Sequence, residues 1–176
     1  MSDLIDYAEK AGFANMQERI DVASMIQREA NTLMALLLAG AGTALAFSAN
    51  ENVENIRLLG AAIATSLYLF LIAAVLNWKC LGLIAYPASH NVPKNLNKPE
   101  YEIAEVRQWE LENLQARIDQ ALAINETRSR WLNGSRLAAT LTPLATAAGW
   151  ALAGHLAADP DAAALAAVLD YLSKYS

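Results

Sequence analysis

Three long stretches of the chain contain no Asp, Glu, Lys or Arg, and strongly polar segments separate them. They cover residues 32–49, 58–78 and 137–158. The hydrocarbon core of a bilayer is about 30 Å thick, so a helix needs roughly 20 apolar residues to cross it. Because three such runs are rare in a small soluble helical bundle, each of them predicts a transmembrane helix. The first run follows a long charged segment, whereas a cleaved signal peptide has a short basic start.

The polar segment before the first span also has helical periodicity. Side chains suited to packing recur along one face of residues 2–31, and these are Met16, Ile20, Ala23, Gln27 and Ala30. Nothing between Gln27 and Leu33 stops this helix, so it is predicted to run straight into the first span. Gly12 leaves open a division of the helix into two pieces.

A loop and a second long polar helix are predicted after the second span. Residues 87–99 hold three prolines and three asparagines, a composition typical of irregular backbone. Residues 100–136 then show one apolar row at helical spacing, made by Leu111, Leu114, Ile118 and Ala121 and continued in polar form by Asn125 and Arg128. We expect helices 2–31 and 100–136 to pack antiparallel as a helical stalk.

Two residues bear on the course of the last span. Gly134 leaves two alternatives open, a bend where the stalk meets the span or a helix that simply continues. Pro143 removes a backbone hydrogen bond, so the third span is expected to be kinked. The apolar tail after it is too short and too charged at its end to span, and it predicts a small helix at the outer surface.

Lysine and arginine are distributed unevenly between these segments. Eleven of the 13 fall within residues 1–31 and 79–136. Loops rich in Lys and Arg stay in the cytoplasm, which predicts a multi-pass protein of the bacterial inner membrane with N-in/C-out topology. The predicted fold is an all-α integral membrane protein with three transmembrane helices and a long cytoplasmic helical stalk. Its regions are a cytoplasmic arm (1–31), a transmembrane hairpin (32–78), the loop and stalk helix (79–136), the third span (137–158) and the outer tail (159–176).

Small residues are abundant in all three spans. In the first span, Ala35, Ala39 and Thr43 form one row, and Gly40, Ala44 and Ser48 form another. Close backbone approach between small residues is a main source of helix association in lipid. Three spans cannot satisfy all of these faces within one chain, so the sequence favours a homo-oligomer over the alternative that a GC-rich genome accounts for the alanines.

The third span offers candidate pore-lining residues. Thr142, Thr146 and Gly149 fall on one face of a kinked, weakly polar helix. They could line a narrow and weakly selective pore, since no ring of charge is available inside the membrane. The alternative is that the threonines bond to carbonyls of their own helix and face neighbouring helices.

The membrane end of the stalk offers a candidate signal-binding site. It combines an amide, three arginines and an indole, which are Asn125, Arg128, Arg130, Trp131 and Arg136. Arginine binds phosphate and tryptophan stacks on nucleobases, so a nucleotide or short oligonucleotide made by a partner enzyme could dock there. The alternative is ordinary anchoring of the helix to the phosphates of membrane lipids.

The remaining composition argues against an enzyme and against general nucleic-acid binding. The net charge is −5, and a nucleic-acid-binding surface is usually basic. His90 and His155 fall on opposite sides of the predicted membrane, Cys80 is the only cysteine, and no phosphate loop or metal-binding motif occurs. The sequence therefore predicts no catalytic residue, no metal ligand and no cofactor.

The layout resembles that of the small membrane effectors of bacterial anti-phage operons, namely SLATT-type proteins and the channel subunit of Hailong-type systems. It shares a short arm, a hairpin of spans joined by ANENVENIR, and the long polar helix EIAEVRQWELENLQARIDQALAINETRSRWLN. The resemblance implies an oligomeric pore that depolarises the host membrane when a nucleotide-type signal binds on the cytoplasmic side. Two other functions are considered: a non-conducting adaptor whose stalk recruits a soluble partner, and a holin-like lysis protein, which has little need of so long a stalk.

Overall fold

The computed structural model describes residues 2–49, 55–82, 84–96 and 99–158. Within these ranges the chain forms α-helices and no strand, which confirms the predicted all-α class. The helices are α1 (Ser2–Ser48), α2 (Ile56–Leu76), α3 (Pro93–Leu96), α4 (Ile103–Thr140) and α5 (Thr142–Ala158), and a π-helical turn (Asn77–Leu81) follows α2. The predicted tail helix in 159–176 and residues 50–54 of the hairpin loop lie outside the described residues.

Helix α1 is continuous from the polar arm through the first apolar run, as the sequence predicts. Gly12 does not divide it. A Cβ atom at this position would lie 2.6 Å from Cδ2 of Leu114, so the glycine lets α4 approach α1 closely. Helix α2 begins after Asn55, whose side chain accepts a hydrogen bond from the backbone N–H of Arg57 at 3.0 Å and caps the helix.

The chain divides into two compact units. The first comprises Met1–Asn31 and Trp78–Asn133, and the second comprises Thr32–Asn77 and Gly134–Ser176. The core of the first unit is formed where α1 meets α4, by Met16, Leu114, Ile118 and Ala121, with Phe13, Ile20 and Tyr86 packed against them. The apolar row predicted for the stalk helix is therefore the row that is buried.

Helices α1 and α4 pack parallel in the first unit, so the antiparallel prediction is wrong. Glu9 contacts Arg107, Gly12 lies against Leu114, and the carbonyl of Arg19 bonds to Asn125. Both residue numbers rise together along the interface, as they must when two helices run in the same direction. The reason is the order of polar and apolar segments along the chain. In both helices the polar part comes first and the apolar run follows it, so the two polar parts run in the same direction when they pack side by side.

Helices α2 and α5 pack antiparallel in the second unit, at a very short distance. A Cβ atom on Gly149 would lie 2.7 Å from the carbonyl oxygen of Gly60 and 3.3 Å from Cα of Ala61. Only glycine fits there, and close approach of this kind supplies the van der Waals contact that holds helices together in lipid. On the other side of α2, Leu69 packs against Gly40 of α1.

The third apolar run is not one straight helix. α4 continues through Gly134 to Thr140, which decides for a continuous helix at that glycine, and α5 leaves at an angle of 47° after a break at Leu141. Pro143 is the cause of the break, because it has no N–H for the carbonyl of Ala139 four residues earlier. The hydroxyl of Thr142 donates to that carbonyl at 2.6 Å instead, and the hydroxyl of Tyr68 donates to the adjacent carbonyl of Ala138 at 2.7 Å.

Among the described residues, two helices are long and apolar enough to cross a membrane. These are the stretches Leu4–Ser48 and Ile56–Leu81, and the bent pair of α4 and α5 would supply a third if it acted as one span. α5 alone has 17 residues, or about 26 Å at 1.5 Å per residue, slightly less than the hydrocarbon thickness.

Candidate functional site

The predicted pore-lining residues lie on the face of α5 that contacts α2. The hydroxyl oxygens of Thr146 and Thr65 are 2.7 Å apart, and Gly149 is buried against Gly60. Thr142 bonds to the carbonyl at the helix break rather than to α2. Within one chain this face is therefore occupied by another helix.

A different row of small residues is exposed, on the apolar half of α1. We call it the small face of α1, and it consists of Ala35, Ala39, Gly42, Thr43 and Ala46. It lies opposite Leu37 and Ala41, which are buried in the second unit. The row Gly40, Ala44 and Ser48, by contrast, lies at the partly buried side of the helix. The structure thus separates the two small-residue rows of the sequence into one internal and one external row.

The exposed face of α2 has the opposite character. Most of its exposed side chains are large and apolar, and they include Ile63, Leu67, Phe70 and Leu71. Large apolar side chains of this kind suit contact with lipid chains, whereas small ones suit contact with another helix. α1 therefore has a row of small residues on its exposed surface, bordered by Leu36, Leu38, Leu45 and Phe47, that the exposed face of α2 lacks.

Four of the five predicted signal-binding residues lie in the first unit, where they do not form one cluster. Asn125 is 4% exposed and Arg128 is partly buried, and both lie on the side of α4 that faces α1. Arg130 is 82% exposed in its side chain and lies 3.7 Å from Glu126. Trp131 is 40% exposed, with the ammonium of Lys79 5.6 Å from its ring centroid, and the side chain of Arg136 is exposed in the second unit.

Asn125 has a structural environment. Its Nδ2 donates to the carbonyl of Arg19 at 2.8 Å and to the hydroxyl of Tyr86 at 3.3 Å, and that hydroxyl donates to the same carbonyl at 2.9 Å. Burial raises the pKa of Tyr86, so the phenol stays protonated and remains a donor. The Oδ1 atom of Asn125 is buried without a partner among the described residues.

A cavity of about 330 Å³ lies beside Arg128 in the first unit, and we call it the Arg128 cavity. Its walls come from α1, from the π-helical turn with the segment after it, and from α4. The lining residues are Ile20, Ala23, Ser24, Gln27, Cys80, Leu81, Gly82, Ile84, Tyr86 and Arg128. A π-turn interrupts the regular geometry of an α-helix, and such turns are often found at functional sites. Here the turn places Cys80 and Leu81 in the cavity wall.

Arg128 is held in this cavity by few bonds. Its Nη2 donates to the carbonyl of Gly82 at 3.3 Å, and its own backbone carbonyl accepts from Sγ of Cys80 at 3.7 Å. The Nε atom is buried without a hydrogen-bond partner among the residues that the structure describes.

Sequence reasoning found Arg128 but missed the rest of this cavity. Ser24 and Gln27 lie on the arm, more than a hundred positions away, and the π-turn has no signature in the sequence. In the described part of the chain, no three His, Cys, Asp or Glu side chains come together in a way that could hold a metal ion. Comparison with protein families, curated proteins and solved structures gives no match for this chain.

Proposed function

We propose that the protein is an oligomeric ion channel or pore-forming effector of the bacterial inner membrane, with its arm and stalk in the cytoplasm. The contrast between the exposed faces of α1 and α2 carries this proposal. α2 offers lipid a surface of mainly large apolar side chains, whereas the small face of α1 is a continuous row of Ala, Gly and one Thr over three turns, with the exposed side chains of Leu36, Leu38, Leu45 and Phe47 on either side of it. In lipid, such a small face is best satisfied by another helix.

The small face of α1 is the surface that copies of the chain would turn toward a common axis. Gly42 has open space around it, since a Cβ atom there would meet nothing within 4 Å. Copies arranged around an axis with this face inward would enclose a narrow passage lined by alanine, glycine and the hydroxyl of Thr43. Such a passage has no fixed charge, so it would conduct weakly selectively and close by dewetting.

The pore-lining role predicted for Thr142, Thr146 and Gly149 is less favoured than this arrangement. Thr146 and Gly149 already contact α2, and exposing them to a pore would separate α2 from α5. We therefore assign α5 the role of holding α2, and α1 the role of lining the passage.

The defence role and its nucleotide signal also belong to this proposal. The layout shared with anti-phage membrane effectors supports them, and the arginines near the end of α4 are a suitable chemistry for phosphate recognition. In this scheme, binding on the cytoplasmic side opens the passage and depolarises the host.

Ion flux and oligomeric mass, measured on the same purified protein, test the channel. Ala39→Leu places a large side chain on the small face of α1, whereas Ala74→Leu makes the same change at an exposed position of α2. We expect the unaltered protein and Ala74→Leu to be oligomers that conduct in liposomes, and Ala39→Leu to lose flux or assembly. A monomer without flux at any potential would refute the channel.

A second function is favoured by a group of exposed side chains in the first unit. Large apolar side chains are exposed near the start of α4, and they are Val92, Leu96, Tyr101, Ile103 and Trp109. Ile103 is 80% exposed, and exposed apolar clusters mark docking surfaces for proteins. These residues would let a non-conducting adaptor recruit a soluble partner. Ile103→Asp should then abolish co-purification of that partner while leaving the oligomeric mass unchanged.

A further inference from the structure

The charge of Arg128 is uncompensated among the described residues. No described carboxylate lies within 4.0 Å of its guanidinium, whereas Arg117 and Arg130 each contact one and Arg107 contacts two. None of the described residues that line the Arg128 cavity is an Asp or Glu. A partly buried cation without a counter-ion is unfavourable, and its buried Nε still lacks an acceptor.

The size and wall of the cavity point to a small ligand. At about 330 Å³ it is near the lower limit of cavities that bind small molecules, so it holds one compact group and not an oligonucleotide chain. Ser24 and Tyr86 place hydroxyls in the wall, but each already donates its proton to a backbone carbonyl, so Arg128 is the group that can hold an anion and supplies the only formal charge among the described lining residues. The ligand that fits is therefore an anion with an apolar or neutral remainder.

We propose that the Arg128 cavity binds the phosphate group of a small ligand, with Arg128 as its anchor. The guanidinium presents its N–H groups as a fork that matches phosphate oxygens. The phosphate belongs either to a soluble phosphate compound or to the headgroup of an anionic lipid, because both offer the same oxygens to Arg128.

A ligand in the cavity would be able to regulate the protein because it would touch three separate segments of the chain. It would contact α1 through Ser24, the π-turn that ends the second apolar helix through Cys80 and Leu81, and α4 through Arg128. Binding would thus fix these three segments relative to one another. The regulatory role rests on the channel proposed above, but the binding site does not.

Cys80 is the only cysteine, and its buried thiol lies in the cavity wall, so the rate at which a small reagent alkylates it reports whether the cavity is occupied. We would measure its rate of alkylation by iodoacetamide in maltoside micelles, with inorganic phosphate or with chloride at equal ionic strength. A ligand at ten times its Kd leaves about one site in eleven empty, so alkylation should slow about tenfold. The unaltered protein and Arg130→Gln should both show this protection, and Arg128→Gln should lose it.

A second pair of measurements identifies the source of the phosphate. The same rates are compared in phosphatidylcholine vesicles with and without phosphatidylglycerol. Protection by inorganic phosphate supports a soluble ligand, and protection only by phosphatidylglycerol supports a lipid headgroup. Ala23→Phe fills the cavity without altering Arg128, so it should protect Cys80 permanently and make phosphate ineffective even if Arg128→Gln fails to fold.

The site is overturned if neither phosphate nor phosphatidylglycerol slows alkylation, or if Arg128→Gln is protected as strongly as the unaltered protein. Because this assay needs no current, its failure leaves the flux experiment intact. Conversely, protection of Cys80 in a protein that never conducts would retain the site and refute the channel.

Discussion

The hydroxyl oxygens of Thr65 in α2 and Thr146 in α5 lie 2.7 Å apart. Each hydroxyl is also close to a carbonyl of its own helix, that of Ala61 at 2.8 Å and that of Thr142 at 3.0 Å. A threonine hydroxyl has a single proton, so one hydroxyl donates to the other while the second donates to its own helix. At this pair the threonines therefore bond to a carbonyl of their own helix and to a neighbouring helix, which is the alternative to pore lining given by the sequence.

A double-mutant cycle on this pair should give a measurable coupling. We expect Thr65→Val and Thr146→Val each to reduce the free energy of unfolding, and the two changes together to cost about 1 kcal/mol less than their sum. Unfolding in dodecyl sulfate, followed by circular dichroism, gives the four free energies. Additivity of the two changes would show that the hydroxyls do not interact.

The glycines of the described helices should respond in opposite ways to alanine. Gly149→Ala would place a methyl group against the backbone of Gly60, and we expect a loss of about 1–3 kcal/mol. Gly134→Ala is the matched control, since a Cβ atom there meets nothing within 4 Å and helix propensity should raise stability by up to about 1 kcal/mol. Equal effects at the two positions would contradict the close packing of α2 and α5.

The hydroxyl of Thr142 should contribute to the free energy of unfolding only while Pro143 is present. Thr142→Val removes the donor to the carbonyl of Ala139 and should cost about 1 kcal/mol. In a Pro143→Ala background, the restored N–H can bond to that carbonyl, so the same Thr142→Val change should be nearly neutral. Thermal unfolding of the four variants in detergent checks this, and an equal cost in both backgrounds would contradict it.

The contact between the arm and α4 should weaken in acid. The carboxylate of Glu9 accepts bonds from Nε and Nη2 of Arg107 at 2.8 and 2.7 Å, and these bonds lower the pKa of Glu9 below its ordinary value of 4.5. The stabilisation is therefore complete above pH 4.5 and is lost as the pH falls through the lowered pKa.

Glu9→Gln tests this relation. It should be less stable than the unaltered protein at pH 7, and the difference should shrink as the pH falls below about 4. Glu126→Gln is the control, because Glu126 is 56% exposed and lies 3.7 Å from Arg130, and it should have little effect at any pH. Tryptophan fluorescence during thermal unfolding reports both, and a difference that does not vary with pH would exclude the Glu9 carboxylate as its cause.

Much of the architecture follows from the sequence because it depends on local properties. The three apolar runs, the continuation of α1 from the arm into the first apolar run and the kink at Pro143 each follow from hydropathy, from the lack of a helix breaker after Gln27 or from one missing N–H. The parallel packing of α1 and α4 could also have been deduced, since both helices run from a polar start into an apolar run.

The prediction of one signal-binding site containing both Arg128 and Arg130 did not take helical phase into account. Residues 128 and 130 are two positions apart, and at 100° per residue their side chains point to nearly opposite sides of a helix. Helical phase alone therefore separates Arg128, which faces α1, from Arg130, which is exposed. The Arg128 cavity could not have been deduced, because a π-turn and a cavity lined by residues as distant in sequence as Gln27 and Arg128 depend on tertiary packing.

The small face of α1 has a consequence for biosynthesis if the chain is inserted as proposed. Alanine and glycine favour transfer into lipid less than leucine, isoleucine and phenylalanine do, and the mean hydropathy of the first span is 1.6 against 2.3 for the second. The small residues that suit α1 for contact with another copy therefore make its own insertion into the bilayer less favourable. The emerging chain would then commit to the membrane as a hairpin, with the strongly apolar α2 securing the weaker helix that precedes it.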